Sequence, residues 1–213
     1  METTREEEKE LLSAFSSLFN DIVTIAKYRT MGNHNEDALK KKGSYSFIPF
    51  SSIRAYLMFY HLKKWVGDRR AKFLDAGCGI GNILMIAKKA KLANEYHGLE
   101  YFDNVKNEAE HFLGLDIKDP LARYLSPNIS VKKADIATYK HYGEYDFIYY
   151  YCPFCNIKKE KDFELRIEDQ MKVGAILIPM MKNSYLITKD KRFKEILPKQ
   201  PNWLNNIWVK IKK

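Results

Sequence analysis

From residue 71 onward, two rhythms of apolar positions alternate along the chain. Short runs with strand-like content, AKFLDAG, YHGLEYF, ISVKKADI, YDFIYYYCPF and GAILIPM, are separated by stretches with helical spacing, such as ILMIAKKAKLA, or by loop-like segments. Strand-length runs alternating with helical ones predict a parallel sheet with helices on both faces. The tail reads differently: FKEIL and NNIWVKIKK suit two short strands, and the Pro/Asn-rich link KQPNWLNN between them suits an antiparallel hairpin at the sheet edge. The expectation is an α/β fold with a doubly wound, mostly parallel sheet of seven strands.

Upstream of this core the pattern is helical. RAYLMFYHLKKW predicts a helix ending near Gly67. Thr4 and Glu7 have the spacing of a capping box, and Leu11, Leu12, Phe15, Leu18, Phe19, Ile22 and Val23 continue at helical spacing, so residues 3–27 read as an amphipathic helix. Its apolar face would pack on the domain or on a second copy of the chain, which makes it the natural element for a homo-oligomer. Residues 30–44 are polar and read as a loop. The organisation expected is an N-terminal helical extension or lid over 1–66 and a core over 67–213.

Composition narrows the class. A chain of 213 residues, 46% hydrophobic, can bury a sizeable core, so disorder is not expected. No run of about 18 apolar residues occurs, and the start METTREEEKE lacks the basic and apolar regions of a signal peptide, so no membrane role and a cytoplasmic location are expected. Three cysteines make no disulfide framework, in keeping with a reducing compartment. The net charge of +9 leaves two readings open. One is a footprint for nucleic acid. The other, which the scatter of lysines along the chain favours, is a solvated basic surface.

The candidate chemistry centres on FLDAGCGIGN, residues 73–82. Asp75 is followed by Gly77, Gly79 and Gly81 at every second position, with a predicted strand before them and a predicted helix after. A phosphate-cradling Walker loop would need Gly-Lys-Ser/Thr, which is absent. The dinucleotide loop would need a glycine where Asn82 stands. The pattern acid-x-Gly-x-Gly-x-Gly resembles the first motif of the class I S-adenosylmethionine (SAM) methyltransferases. SAM carries no phosphate; its cationic amino-acid end and sulfonium favour a nearby carboxylate, and glycines let the backbone approach the ligand without Cβ clashes. The resemblance covers residues 71–213 and implies SAM as cofactor, held by Asp75, Ala76, Gly77, Cys78, Gly79, Gly81 and Asn82. It further implies Glu100, with Tyr101 after it, at the ribose hydroxyls, and Asp135 and Ile136 at the adenine. Each of the two later acids ends a predicted strand, in order.

In this family the segment after the fourth strand lines the pocket beside the methyl group, and Tyr151, Cys152, Pro153 and Phe154 occupy that place. The Asn/Asp-Pro-Pro-Tyr tetrapeptide of enzymes acting on adenine or glutamine amino groups is absent, and the Pro-Cys order of cytosine-C5 enzymes is reversed. Cys152 and Cys155 read as structural rather than as a redox or metal pair, since one chain with only Cys78 besides has no Cys₄ set; no metal is expected. Strand alternation places Tyr149 and Tyr151 on one face, as core or as an aromatic wall for a cationic acceptor. His61, His97, His111 and His141 are assigned no role. YSFIPFSS resembles the Tyr-x-Pro segment preceding the core in several seven-strand protein-lysine methyltransferases, with Tyr45, Phe47, Pro49 and Ser51 as the matching positions. A turn into the helix, fixed by Pro49 and capped by Ser51 or Ser52, accounts for it equally. The expected function is methyl transfer to a nitrogen or oxygen nucleophile, with protein the first acceptor class, nucleic acid next and a small metabolite last. A SAM-binding module without catalysis and a nicotinamide-dependent oxidoreductase are the rivals.

Overall fold

The structure, a computed structural model, describes residues 52–115, 128–180, 187–197 and 207–213. The expected helix over 3–27, the loop over 30–44, the YSFIPF segment and the KQPNWLNN link lie outside the described residues. In chain order the elements are α1 (Ser52–Val66), β1 (Lys72–Ala76), α2 (Asn82–Lys89), β2 (Glu95–Glu100), α3 (Asp103–Phe112), β3 (Ile129–Lys133), β4 (Phe147–Tyr151), α4 (Ile157–Gln170), β5 (Ile176–Met180), β6 (Phe193–Leu197) and β7 (Ile207–Lys210). The strands form one sheet in the order β3-β2-β1-β4-β5-β7-β6. The β3-β2-β1-β4-β5 block is parallel, and β7 runs antiparallel to both β5 and β6. This is the doubly wound, mostly parallel seven-strand sheet that the sequence predicts, with the tail hairpin at its edge.

Central strands of such a sheet are covered on both faces, which explains their continuous apolar runs. Alternate residues of β1 feed two different core layers. Phe73 points to the layer of α1 and α2, with Phe59, Leu84, Tyr96 and Tyr149. Leu74 points to the layer of α4, with Ile148, Tyr150, Phe163 and Ile167. Tyr149 and Tyr151 share the first layer, and Tyr150 belongs to the second, as alternation requires. Helix α1 is part of the first layer: Phe59 is fully buried, edge-on to Phe73 at 5.5 Å and to Tyr149 at 6.0 Å. Burying such a ring contributes about 1.5–3 kcal/mol, and the edge-on geometry adds about 0.5–1.5 kcal/mol. The helix ends where Gly67, at φ 67°, returns its N–H to the Lys63 carbonyl at 2.9 Å.

Pro179 lies inside β5, where a missing donor would normally break the ladder. The Ile176 N–H and the Met180 carbonyl both face β4, so the nitrogens of the odd-numbered residues face β7. The described β5–β7 pairing ends at Leu177, which leaves the Pro179 nitrogen beyond the last pair. β1 and β4 are the two central neighbours from which the chain winds outward in opposite directions. A crevice therefore opens at their C-terminal ends, the place where ligands bind in open α/β sheets.

Candidate functional site

The chain leaves β1 at that crevice through residues 77–81. Gly77, Gly79 and Gly81 have φ of 89°, 53° and 82°, all in the left-handed region that only glycine adopts without strain. The loop is tied to the end of β2. The N–H groups of Gly77 and Cys78 both donate to the Leu99 carbonyl, at 3.0 and 2.9 Å, and the Gly81 N–H donates to the Cys78 carbonyl at 2.9 Å. Glu100 completes the anchor: its Oε2 accepts from the Gly79 N–H at 3.1 Å, and its Oε1 accepts from the N–H groups of Tyr101 and Phe102 at 2.8 and 3.0 Å. A carboxylate offers about four acceptor positions, so three amides leave Glu100 little beyond one. Burial raises the Glu100 carboxyl above its ordinary range, against the pull of these amides.

Asp75 faces the α1–α2 side, on the same side of β1 as Phe73, and is 2% exposed. Its Oδ2 has no hydrogen-bond partner among the described residues. Burial foremost, and the Glu100 charge second, push its carboxyl well above the carboxylate range. Tyr149, its register partner on β4, is 1% exposed, and its hydroxyl likewise has no partner among the described residues. A buried polar group without a partner costs roughly 1–3 kcal/mol, which a ligand or an ordered water recovers.

On the other side of the loop Gly77 is exposed, and among the described residues a Cβ there would meet only Ile136 Cδ1, at 3.9 Å. The exposed backbone of Gly77 therefore sits beside the Ile136 side chain at van der Waals distance. Asp135 makes a local turn, its Oδ1 accepting from the Ala137 N–H at 3.0 Å, which holds Ile136 in place. Tyr101 is 41% exposed at the rim, edge-on to Phe102. Asn82 is buried as the first residue of α2.

At the end of β4, Tyr151, Cys152 and Pro153 are half-buried, whereas Phe154 is buried against Phe163 of α4, ring to ring at 5.5 Å. Phe154 thereby anchors the segment, and the three residues before it present the open surface. Cys152 has φ 38°, an uncommon conformation for a residue with a Cβ, and its N–H donates to the Met180 carbonyl at 3.2 Å. Cys78, Cys152 and Cys155 are all free thiols, and the described residues hold no cluster of metal-ligating side chains. Burial foremost, and the nearby Asp75 and Glu100 charges, push the Cys78 thiol well above its ordinary range.

Gly98 is a further site residue, outside the glycine loop. It lies in β2 opposite Asp75, and a Cβ on it would stand 2.6 Å from Cys78 Sγ and 2.9 Å from Leu84 Cδ1. A glycine inside a strand pattern is the signal that marks such a close approach.

Several solved structures are similar in fold. A candidate methylase from Haemophilus influenzae matches with a TM-score of 0.57 at 14% identity, covering 75% of this chain and 99% of that one. The methyltransferase domain of the bacterial protein CtHen1 matches with a TM-score of 0.50 at 16% identity, covering 73% and 95%. The SAM-bound amino pentose methyltransferase CalS10 of Micromonospora echinaspora aligns at a TM-score of 0.46 and 18% identity, over 82% and 62%. No family model and no curated protein matches the sequence. The first two likenesses, with the strand order, show the class I methyltransferase fold.

Proposed function

We propose that this protein is a SAM-dependent methyltransferase acting on a nitrogen or oxygen nucleophile, with a protein side chain such as lysine as the acceptor of first choice. One observation carries the reading: a loop of three left-handed glycines, tied to Glu100, stands over the buried, unpartnered Asp75 oxygen at the point where the sheet reverses its winding. That combination fits SAM. The Asp75 Oδ2, without a partner among the described residues, suits a cationic ligand, and the exposed backbone at Gly77, beside Ile136, suits close approach of a ring and ribose. Asp75, Ala76 and the glycines Gly77, Gly79 and Gly81 would hold the amino-acid end, with Cys78 and Asn82 shaping the loop. Glu100 and Tyr101 would meet the ribose, and Asp135 and Ile136 the adenine.

When bound, SAM supplies an electrophilic methyl group on its sulfonium. Tyr151, Cys152 and Pro153 would border the acceptor, with Phe154 fixing them from below. Methyl transfer to a neutral amine needs alignment more than a strong base, so positioning by these residues would supply most of the acceleration. The missing Asn-Pro-Pro-Tyr speaks against an adenine amino acceptor, and the YSFIPF segment favours protein.

Calorimetric titration with SAM and with NAD tests the cofactor, and the expected outcome is saturable binding of SAM alone. Methyl-labelled SAM incubated with a lysate of the source cells then tests the acceptor, beside a Gly79→Arg control whose folding is checked by melting. Label removed by protease supports the protein reading. Label removed by nuclease transfers it to nucleic acid, and label confined to small molecules overturns both. SAM binding with no transfer in any fraction would point to a binding module without catalysis.

A further inference from the structure

One cavity has no part in this reading. It is an open depression of about 410 Å³, lined by Lys63, Asp68, Arg69, Arg70, Lys91, Ala93 and Asn94. These residues come from the end of α1, the connection into β1 and the connection from α2 to β2, so the cavity lies at the N-terminal ends of β1 and β2. The glycine loop leaves β1 at the opposite end. Five strand residues at about 3.3 Å each separate the two places by roughly 16 Å.

The lining carries four cations and one anion, so its formal charge is 4 − 1 = +3. The anion is already taken: Asp68 lies 2.8 Å from Lys63 Nζ, and that partner chiefly, with a smaller contribution from Lys91, holds its carboxyl below the usual range. Arg70 reaches only to 4.0 Å from Glu95, whose carboxylate is closer to Lys72, at 3.1 Å. Arg69 lies over the Phe147 ring, 5.0 Å from its centre, and neither it nor Lys91 makes an ion pair among the described residues. The neutral wall is occupied by the fold itself: Asn94 Oδ1 accepts from the Ala71 N–H, and the Asn94 carbonyl accepts from Asn128 Nδ2.

The C-terminal ends of α1 and α2 offset about half a charge each, which does not cancel the excess. Gathering like charges in a concavity destabilises the unliganded protein and favours an anion entering it. Lys91 adds an independent observation. It has φ 52°, in the turn closing α2, where glycine is the unstrained residue. The Lys91 and Leu92 N–H groups close the helix end on the Lys88 and Ala87 carbonyls, so this turn fixes the backbone that carries the Lys91 side chain at the cavity rim.

We propose that this basic cavity binds a phosphate group, at the end of the sheet opposite the glycine loop. The phosphate belongs either to a small phosphorylated molecule or to a nucleic-acid backbone, both of which present the same dispersed negative oxygens to guanidinium and ammonium donors.

The test uses the full chain and two probes, inorganic pyrophosphate and a short single-stranded RNA, titrated by calorimetry at low and moderate salt. The variant is Arg70→Gln/Lys91→Gly. The Arg70 side chain is 91% exposed, and glycine suits the backbone at position 91, so the fold is retained; a melting curve checks this. Wild type should bind pyrophosphate saturably, more weakly as salt rises, and the double variant should bind about tenfold or more weakly. RNA that competes with pyrophosphate and loses the same factor in the variant identifies a nucleic-acid backbone. Competition absent, with pyrophosphate binding intact, identifies a small phosphorylated molecule. No saturable pyrophosphate binding, or equal binding by wild type and variant, overturns the proposal.

Discussion

Adding one methyl group at Gly98 should damage the glycine loop from beneath. Ordinary van der Waals contact begins near 3.4 Å, and a Cβ at position 98 would stand 2.6 Å from Cys78 Sγ and 2.9 Å from Leu84 Cδ1. The overlaps are therefore 3.4 − 2.6 = 0.8 Å and 3.4 − 2.9 = 0.5 Å. Both neighbours are buried in a close-packed layer, and overpacking of this kind costs about 1–3 kcal/mol. For a chain of this length each kcal/mol lowers the melting temperature by about 2–4 °C, so Gly98→Ala should melt roughly 2–12 °C below wild type. Cys78 cannot yield alone, because its N–H holds the Leu99 carbonyl and its carbonyl holds the Gly81 N–H. The displacement therefore passes into the loop, and SAM binding should weaken beyond the loss of folded protein. Cys78→Ala removes the sulfur that the new methyl meets first. In a double-mutant cycle read by denaturant unfolding, Gly98→Ala with Cys78→Ala should be more stable than the sum of the single effects by about 1 kcal/mol or more. Additivity within about 0.5 kcal/mol, or an unchanged melting temperature for Gly98→Ala, would refute the contact as the cause.

Two further outcomes follow from α4. Glu160, Glu164 and Glu168 are buried on one face of this helix, and burial first, then the Glu164 charge, raise the Glu168 carboxyl from 4.5 to about 7. Asp190 and Asp169 raise it further and Arg192 opposes them. A folded-state value above the unfolded one means that this stabilisation is complete below pH 4.5 and lost as pH rises towards 7, by an amount on the order of 3 kcal/mol at most. Glu168→Gln should therefore flatten the fall in unfolding free energy between pH 5 and pH 7, measured in urea, and an unchanged slope would count against it. Tyr150 donates its hydroxyl to Glu164 Oε1 at 2.9 Å in the same layer. Tyr150→Phe removes that donor from the buried Glu164 and should cost about 1–3 kcal/mol in urea unfolding; an unchanged unfolding free energy would contradict the pairing.

How much of this was legible beforehand depends on the distance over which each feature acts. The strand runs, the helical spacing of α1 and α2, and the separate faces of Tyr149 and Tyr150 are written in periods of two and of three to four residues, which local geometry dictates. The glycines of 77–81 are legible for the same reason, since a left-handed turn constrains its own residues. Asp75, Glu100 and Asp135 could be placed at strand ends because each closes an apolar run. What those acids do was not legible. Glu100 is spoken for by the Gly79 amide, 21 residues away in sequence, and by two amides of its own turn. Phe154, one of four residues expected beside the acceptor, is turned into the α4 layer by Phe163. The Gly98–Cys78 contact, the buried acidic face of α4 and the basic cavity beneath β1 and β2 all depend on which elements the strand order brings together. Local sequence sets the elements, their order and the loop that can take a ligand. Packing in three dimensions sets which side chains lose their water and which charges face each other, because desolvation and Coulomb energy depend on neighbours in space that no local period encodes.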